Sequence, residues 1–296
     1  MWTLLLVGAV AAPGVARQQT DTTFAVQPDG RMRIECNQGS VRLRSWDRSS
    51  MRIVASHSSR VRVTIRRSQG LLRVASESRQ GGQETVDYEI TLPRPFGVRV
   101  DGHHCDALIQ DIEGDFTIDN VQGDVVIRNI RGDVDVESVE GEIIASDVRG
   151  RIRAETVNQG IRISGAAGNV DAESVNGPIQ LSGVVSDSVA AESVNGNIQF
   201  QGELRNGARY NMSTHNGNIQ LVVPAGTNAR VMIATHSGSV ETDFPVQLRE
   251  STAGGRLTIQ LGSGGARIDL ESFGGTIRLI RPGGRSPDAR DRGRLE

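Results

Sequence analysis

The chain contains no lysine, few aromatic residues (3%) and two cysteines in 296 residues. The shortage of rings argues against a thick aromatic core and against a platform that stacks nucleic-acid bases. Acidic and basic groups nearly cancel, to a formal net charge of −2, so the overall charge gives no support to nucleic-acid binding. Long apolar runs are absent after the first residues, which excludes a protein with several membrane spans.

The first sixteen residues have the properties of an export signal. Residues 2–12 are apolar, and the small residues Gly14 and Ala16 favour cleavage after Ala16. No basic residue precedes the apolar run, which departs from the usual signal pattern, and a buried N-terminal strand is the alternative. We expect an exported protein that resides in the periplasm, on the cell surface or in the medium.

Glycine recurs with a period of nine residues, and this repeat dominates the sequence. The regular part of the series is Gly114, Gly123, Gly132, Gly141 and Gly150. Between glycines, two aliphatic residues alternate with polar ones, which puts both on one face of a strand. A third aliphatic residue follows after a two-residue gap, where we expect a bend that turns it inward. Each nonapeptide therefore predicts one short strand and one corner, and glycine there permits a positive φ.

Alternate nonapeptides resemble each other more than neighbours do. The corner sequence ESVNG ends at Gly177 and again at Gly196, and the related ESVEG ends at Gly141. The full period is thus about 18 residues, with two strands in each coil. A single nonapeptide cannot bury its apolar edge, but stacked coils bury these edges against one another. The sequence predicts an all-β parallel β-solenoid, with about eight coils between residues 98 and 238.

The remaining segments complete this organisation. Because an open terminal coil is an edge for aggregation, we expect both ends to be capped by irregular β-hairpins. The predicted segments are a signal peptide (1–16), an N-terminal β segment that starts and caps the solenoid (20–100), the repeat solenoid (101–240), closing C-terminal strands (241–282) and a disordered tail (283–296).

Equivalent positions of successive coils should stack into outward columns. One predicted column consists of Asp119, Glu137, Glu155, Glu173 and Glu192. A second, on the opposite sheet, consists of Gln180, Gln199 and Gln220. Carboxylates so close together raise one another's pKa. The functional hypothesis is that these columns form a long polar binding face, and the alternative is a solvated surface copied with the repeat.

Charge is also segregated along the chain. Residues 31–79 contain twelve Arg and three acidic residues, whereas residues 101–200 contain eighteen acidic residues and six Arg. A basic end and an acidic shaft favour head-to-tail self-association or docking to an anionic surface. Alternatively, the exposed Arg residues keep the edge of the first strands soluble.

Few residues suggest other chemistry. Cys36 and Cys105 can pair in an oxidising compartment, and the alternative is two unrelated small residues in strands. The nonapeptides lack the Gly-Gly-x-Gly-x-Asp signature of calcium-binding β-rolls, so we expect no metal and no cofactor. His215 and His236 occupy the corner column otherwise held by valines, and we expect them to be core histidines.

The order of several short motifs resembles a large bacterial family of unknown function. The motifs are strand-Gly-strand-Trp-Asp (34–47), TLP (91–93), the ESVNG corners and LESFGGTIRL (270–279). The family's members are called putative adhesins and are exported β-solenoid domains, and the likeness covers residues 24–281. The resemblance implies a location at the cell surface or envelope, and it brings no catalytic residues.

The sequence therefore suggests an exported, non-catalytic β-solenoid that acts in binding, adhesion or envelope scaffolding. Its expected partner is an envelope component, a glycan or a protein, and no nucleic acid or transmembrane span is expected. Two alternatives stay open. One is a β-helix enzyme that cleaves acidic polysaccharides with carboxylates on one sheet, and the other is a scaffold that polymerises end to end.

Overall fold

The computed structural model describes residues 17–27, 29–68, 70–79, 81, 84–244 and 256–283. The predicted signal peptide (1–16) and residues 284–296 of the predicted tail lie outside the described residues. Every regular element in the described ranges is a β-strand, so the all-β prediction is confirmed.

The strands are short in the repeat and longer near the N-terminus. The first part of the described chain contains β1 (Arg17–Ala25), β2 (Arg31–Trp46), β3 (Ser50–Ser58), β4 (Val61–Ser68), β5 (Leu71–Ser78), β6 (Val86–Pro93) and β7 (Gly97–Glu113). The repeat contains β8 (Phe116–Gln122), β9 (Val125–Arg131), β10 (Val134–Glu140), β11 (Ile143–Arg149), β12 (Ile152–Thr156), β13 (Ile161–Ser164), β14 (Val170–Ser174), β15 (Ile179–Val185), β16 (Ser188–Ser193), β17 (Ile198–Glu203), β18 (Arg209–Thr214) and β19 (Ile219–Val222). The last part contains β20 (Ala229–Thr235), β21 (Val240–Thr242), β22 (Arg256–Leu261), β23 (Ala266–Ser272) and β24 (Ile277–Ile280).

Alternate strands of the repeat pair in parallel and form two ladders around a thin core. The first ladder runs β8, β10, β12, β14, β16, β18. The second runs β9, β11, β13, β15, β17, β19. Glu137 pairs with Glu155, eighteen residues later in the chain, so residues one coil apart lie directly beside each other. This register confirms the parallel β-solenoid with two main strands per coil.

At both ends, the order of coils in space differs from their order in the chain. The strand β2 lies between β7 and the coil formed by β5 and β6, although β5 and β6 follow it in sequence. Likewise, β23 and β24 lie between the β18–β19 coil and the β20–β21 coil. The first and last coils of the chain are therefore covered by coils from nearer its middle, and their edges are paired on both sides.

Antiparallel strands complete each end. At the N-terminal end, β4 pairs with β5, β3 with β6, and β1 with β3. At the C-terminal end, β22 pairs with β20. The change of direction ends the parallel ladders, as expected for β-hairpin caps.

The core is a narrow stack of aliphatic side chains from both ladders. In β10, Val134 and Val136 are buried, whereas Glu137 is exposed. Phe116, Phe200 and Tyr210 are among the few large rings that are fully buried. Because each coil buries its inward residues against the coils on either side, the stack supplies the apolar burial that a single coil lacks.

Several corners that follow strands of the first ladder are held by a Ser or Thr hydroxyl. Ser193 Oγ accepts a hydrogen bond from the Gly196 N–H at 2.8 Å and donates one to the Gly177 carbonyl of the preceding coil at 3.4 Å. Thr214 and Ser272 make the same pair of bonds, and Ser174 differs only in that its hydroxyl donates to the Gln159 carbonyl. The serine of the ESVNG motif therefore joins each corner to the next and satisfies its own buried hydroxyl.

The corner glycines serve two purposes, of which the sequence predicted one. Gly132 and Gly150 have φ values of 151° and 150°, which favour glycine as expected. At Gly177 and Gly196 the reason is close stacking, since a Cβ there would lie 1.7 Å from the Gln159 carbonyl oxygen and 1.9 Å from the Gly177 carbonyl oxygen, respectively. These corners touch backbone to backbone.

A disulfide joins the first coil to its neighbour. Cys36 in β2 and Cys105 in β7 are bonded, with Cα atoms 6.0 Å apart, and both are buried. The bond closes a loop whose ends are 69 residues apart in sequence. It fixes β2 against β7, the contact that sets the unusual coil order at this end.

Loss of this disulfide should destabilise the fold. Replacing both residues (Cys36→Ala with Cys105→Ala) should lower the free energy of unfolding by about 2–4 kcal/mol, because the unfolded chain gains the freedom of an open loop. Urea titration measures the change. Dithiothreitol should lower the midpoint of the unchanged protein and leave that of the double variant where it is. A midpoint that is insensitive to reductant in both would contradict the structural role.

Backbone stacking at the corners can be tested with a matched pair of glycines. Gly196→Ala should lower the free energy of unfolding by roughly 1–3 kcal/mol, since its methyl group meets the carbonyl of the preceding coil. Gly97→Ala is the control, because the nearest atom to a Cβ there is 3.7 Å away. Equal losses in the two variants, measured by thermal unfolding, would refute the close-stacking explanation.

Candidate functional site

The predicted acidic residues lie in one outward column of the first ladder. The register places Asp119, Glu137, Glu155, Glu173 and Glu192 beside one another, coil after coil. Neighbouring members are about 4.8 Å apart along the solenoid, the spacing of paired strands. We call this set, with its extensions below, the acid column.

The acid column is longer than the sequence predicted. Asp101 and then Glu35 continue it towards the N-terminal end, and Glu271 continues it beyond Ser213 towards the other. Glu271 belongs to the segment ESFGG, which matches the ESVNG corners, so the repeat pattern contained a signal for it. The extension by Glu35 depends on the placement of β2 beside β7, which no repeat motif indicates.

Arginines neutralise the N-terminal end of the acid column. These pairs are Arg73 with Glu35, Arg33 with Asp101, and Arg99 with both Asp101 and Asp119. The distances are 2.5 Å for Arg73–Glu35 and 2.6 Å for Arg33–Asp101. The basic charge of residues 31–79 is thus partly used within the protein itself.

The middle of the column keeps its negative charge. Arg153 pairs with Glu155, but Glu137, Glu173 and Glu192 form no ion pair with any described residue. Burial raises the pKa of Glu173, and the neighbouring carboxylates of Glu155, Asp171 and Glu192 raise it further. An approaching cation would therefore be attracted to this part of the column.

An exposed column of valines runs parallel to the acid column. Val121, Val139, Val157, Val175 and Val194 are 38–45% exposed. The prediction that this third aliphatic residue turns inward is wrong here, because the buried Ser, Thr or Asn before it occupies the inward position and alternation sends the valine out. At the other corner the prediction is confirmed, with 0–1% exposure for Ile112, Ile130, Val148, Ala166 and Val184.

Three stacked rings continue the valine column towards the C-terminal end. Phe273 lies between His215 and His236, with ring centroids 4.7 Å apart on each side. All three side chains are exposed, so the prediction of core histidines is also wrong. The order in space follows from the inserted last coil, which places Phe273 between two histidines that precede it in the chain.

The two columns form the walls of an open groove of about 920 Å³. We call it the acid–valine groove; its walls are the acid column and the valine column, and the corner Ser, Thr and Asn residues between them form its floor. Beneath that floor, the Asn120 Oδ1 and Ser138 Oγ atoms are buried and have no hydrogen-bond partner among the described residues. The groove thus presents carboxylates on one side and methyl groups on the other.

The predicted amide column lies on the second ladder. Gln180 pairs with Gln199, and Gln199 with Gln220, as the repeat indicated. The flanking positions are Arg162 and Arg278, whose backbones pair with Gln180 and Gln220. The structure therefore places the predicted amide and acidic residues on different ladders, and they do not form one site.

Among the described residues, no group of three or more His, Cys, Asp or Glu is arranged to hold a metal ion. The part of the chain that the structure describes also has no helix of the length and apolarity needed to cross a membrane.

The raised pKa of Glu173 predicts a pH-dependent stability difference. A carboxylate whose pKa is higher in the folded state opposes folding once it ionises, so the cost is absent in acid and develops as pH rises above the ordinary value of 4.5. Glu173→Gln should therefore be more stable than the unchanged protein at pH 7 and equally stable at pH 3. Thermal unfolding across this range measures the difference.

Asp21→Asn is a control of opposite sign. Its hydrogen bonds with Arg52 lower the pKa of Asp21, so ionised Asp21 stabilises the fold and that gain disappears as pH falls through the lowered value. The Asn variant should be less stable at pH 7 and match the unchanged protein in acid. The same sign for both variants would contradict the assignment of these pKa shifts.

Comparison with known proteins gives a family and several similar folds. A comparison with curated proteins finds no match. A putative adhesin from Parabacteroides merdae is 10% identical over 89% of this chain and 96% of its own, with a TM-score of 0.44. A putative adhesin from Bacteroides fragilis is 11% identical over 90% and 99%, with a TM-score of 0.42. A putative lipid binding protein from Parabacteroides distasonis is 9% identical over 88% and 96%, also at 0.42.

At these values of identity and TM-score, the similar structures carry no argument about function. The family comparison is firmer, since the Toastrack DUF4097 family matches residues 30–279, from the start of the first coil to the end of the last. That span includes the acid column, the amide column, the disulfide and the acid–valine groove. The chain belongs to the Toastrack DUF4097 family.

Proposed function

We propose that this chain is an exported, non-catalytic β-solenoid that acts in adhesion or scaffolding at the cell envelope, and that the acid–valine groove is its binding surface. The observation that carries the proposal is the exposed valine column beside carboxylates that lack an ion pair with any described residue. Large contiguous apolar surface is uncommon on a monomeric protein and marks sites of interaction. Repeat proteins bind partners through such extended surfaces.

The disulfide supports export. Cys36 and Cys105 are the chain's two cysteines, and they are bonded to each other. Structural disulfides persist in the periplasm and outside the cell, and reducing compartments keep thiols free. The proposed location is therefore the periplasm, the cell surface or the medium.

The lining of the groove favours binding over catalysis. A glycosidase needs two carboxyl groups with different roles, at separations of about 5 Å or 6.5–9.5 Å. Glu155 and Glu173 are neighbours with different surroundings, since Arg153 pairs with Glu155 and burial raises the pKa of Glu173. Beside this pair, however, the groove is lined by the valine column, and the rings that could stack on a sugar, His215 and Phe273, lie at its C-terminal end. When the protein is incubated with acidic polysaccharides, we therefore expect neither new reducing ends, the products of hydrolysis, nor unsaturated oligosaccharides, the products of elimination that absorbance detects.

Binding to the envelope is the decisive measurement. The purified, fluorescently labelled chain should bind in a saturable manner to cell envelopes isolated from the organism that encodes it. The variant Glu173→Gln/Val175→Ser should bind about tenfold more weakly, because it removes one charge and one methyl-rich contact from the groove. Neither substitution touches the buried core.

A matched variant separates the groove from the rest of the surface. Glu140→Gln/Val185→Ser makes the same chemical changes at exposed positions outside the groove, and Val185 is 40% exposed, as Val175 is. We expect it to bind as the unchanged protein does. Binding that is equally weakened in both variants would refute the groove as the binding surface, and release of unsaturated oligosaccharides would refute the non-catalytic function.

A further inference from the structure

We propose that the acid–valine groove binds an extended basic segment of a partner protein, in which Lys or Arg alternates with aliphatic residues. The proposal rests on the proposed function and adds the chemistry and conformation of the partner. The cations would lie against the acid column and the aliphatic side chains against the valine column.

The unpaired carboxylates of the acid column favour a basic ligand. The acid column is neutralised by arginines at its N-terminal end, but Glu137, Glu173 and Glu192 form no ion pair with any described residue. A cation bound between Glu173 and Glu192 relieves the repulsion that these carboxylates exert on each other. An anionic ligand, such as an acidic glycan, would add to that repulsion.

The valine column requires that the ligand also be apolar. A small inorganic cation or a hydrated polyamine would be attracted by the carboxylates but would leave the methyl groups in water. Val175 is 40% exposed, and covering it lowers the free energy of binding only when an apolar group of the ligand displaces the water around it. The ligand therefore carries both kinds of group along its length.

The parallel arrangement of the two walls indicates an extended backbone. Successive residues of a strand point to opposite sides, so a strand lying lengthwise in the groove sends alternate side chains to opposite walls. A helix cannot divide its side chains between two walls in strict alternation. The stretch from Asp119 to Glu192 spans about 19 Å, which an extended segment covers with about six residues.

Self-association through two facing grooves is disfavoured, because it would bring two acid columns together. The basic end of a second copy remains a competing occupant. The charge surplus of that end (residues 31–79) is partly neutralised within the protein, since Arg33 and Arg73 pair with its own carboxylates. A foreign basic segment carries no such internal pairs, and for this reason we commit to it.

Fluorescence anisotropy with a labelled peptide of four Lys-Val repeats tests the proposal on the full, disulfide-bonded chain. We expect saturable binding that weakens with added salt. Glu173→Gln/Glu192→Gln should weaken it about five- to tenfold, and Glu140→Gln/Glu203→Gln, with the same change of charge outside the groove, should leave it unchanged. Val175→Ser should weaken it about threefold, and Val185→Ser should not.

A peptide of four Lys followed by four Val has the same composition without the alternation, and we expect it to bind more weakly. Equal affinity for the two peptides, or no effect of Val175→Ser, would mean simple attraction to a polyanion and would overturn the proposal. Sedimentation of the protein alone should show a monomer; an oligomer that blocks the peptide would give the groove to a second copy and also overturn it. Envelope binding that persists when the peptide fails would leave the proposed function standing.

Discussion

The in-register stacking of corners determines the rest of this structure. A buried hydroxyl such as Ser193 Oγ bonds the glycine N–H of its own corner and the glycine carbonyl of the preceding one, so each coil is positioned by its neighbour. The glycines permit this because their backbones meet where no Cβ fits. Once the corners are in register, every strand between them pairs with its equivalent, and the aliphatic core follows with few aromatic rings.

The same constraint produces the candidate site. With a hydroxyl in the inward position, the residues before and after it must face outward, so Glu173 and Val175 point to solvent on either side of Ser174. Repetition turns that local arrangement into two parallel walls. The groove is therefore a direct consequence of how the corner is held, and the outward valine is the feature that gives it an apolar side.

The two ends use a different principle from the middle. There, a coil from the interior of the sequence covers the first or last coil, and antiparallel strands finish the ladder. This insertion makes the terminal segments of the chain part of the stack, and the Cys36–Cys105 bond fixes one of them. It also brings Arg33 and Arg73 beside the acid column, and it places Phe273 between two histidines.

The sequence by itself determined the period, the parallel stacking and the central acid column, because a glycine every nine residues fixes corners and equal spacing puts equal residues side by side. It did not determine whether the third aliphatic residue faces the core or the solvent, since the same pattern fits a buried and an exposed valine. Valine and the preceding hydroxyl compete for the inward position, and only packing settles which of them occupies it. Nor did it determine the order of the terminal coils, which depends on pairing between strands far apart in the chain. The acid column was thus visible in the sequence, whereas the tertiary structure decided the valine column and the ring stack. The corner hydroxyl turns the valines outward only when the coils pack, and the inserted last coil places Phe273 between the two histidines.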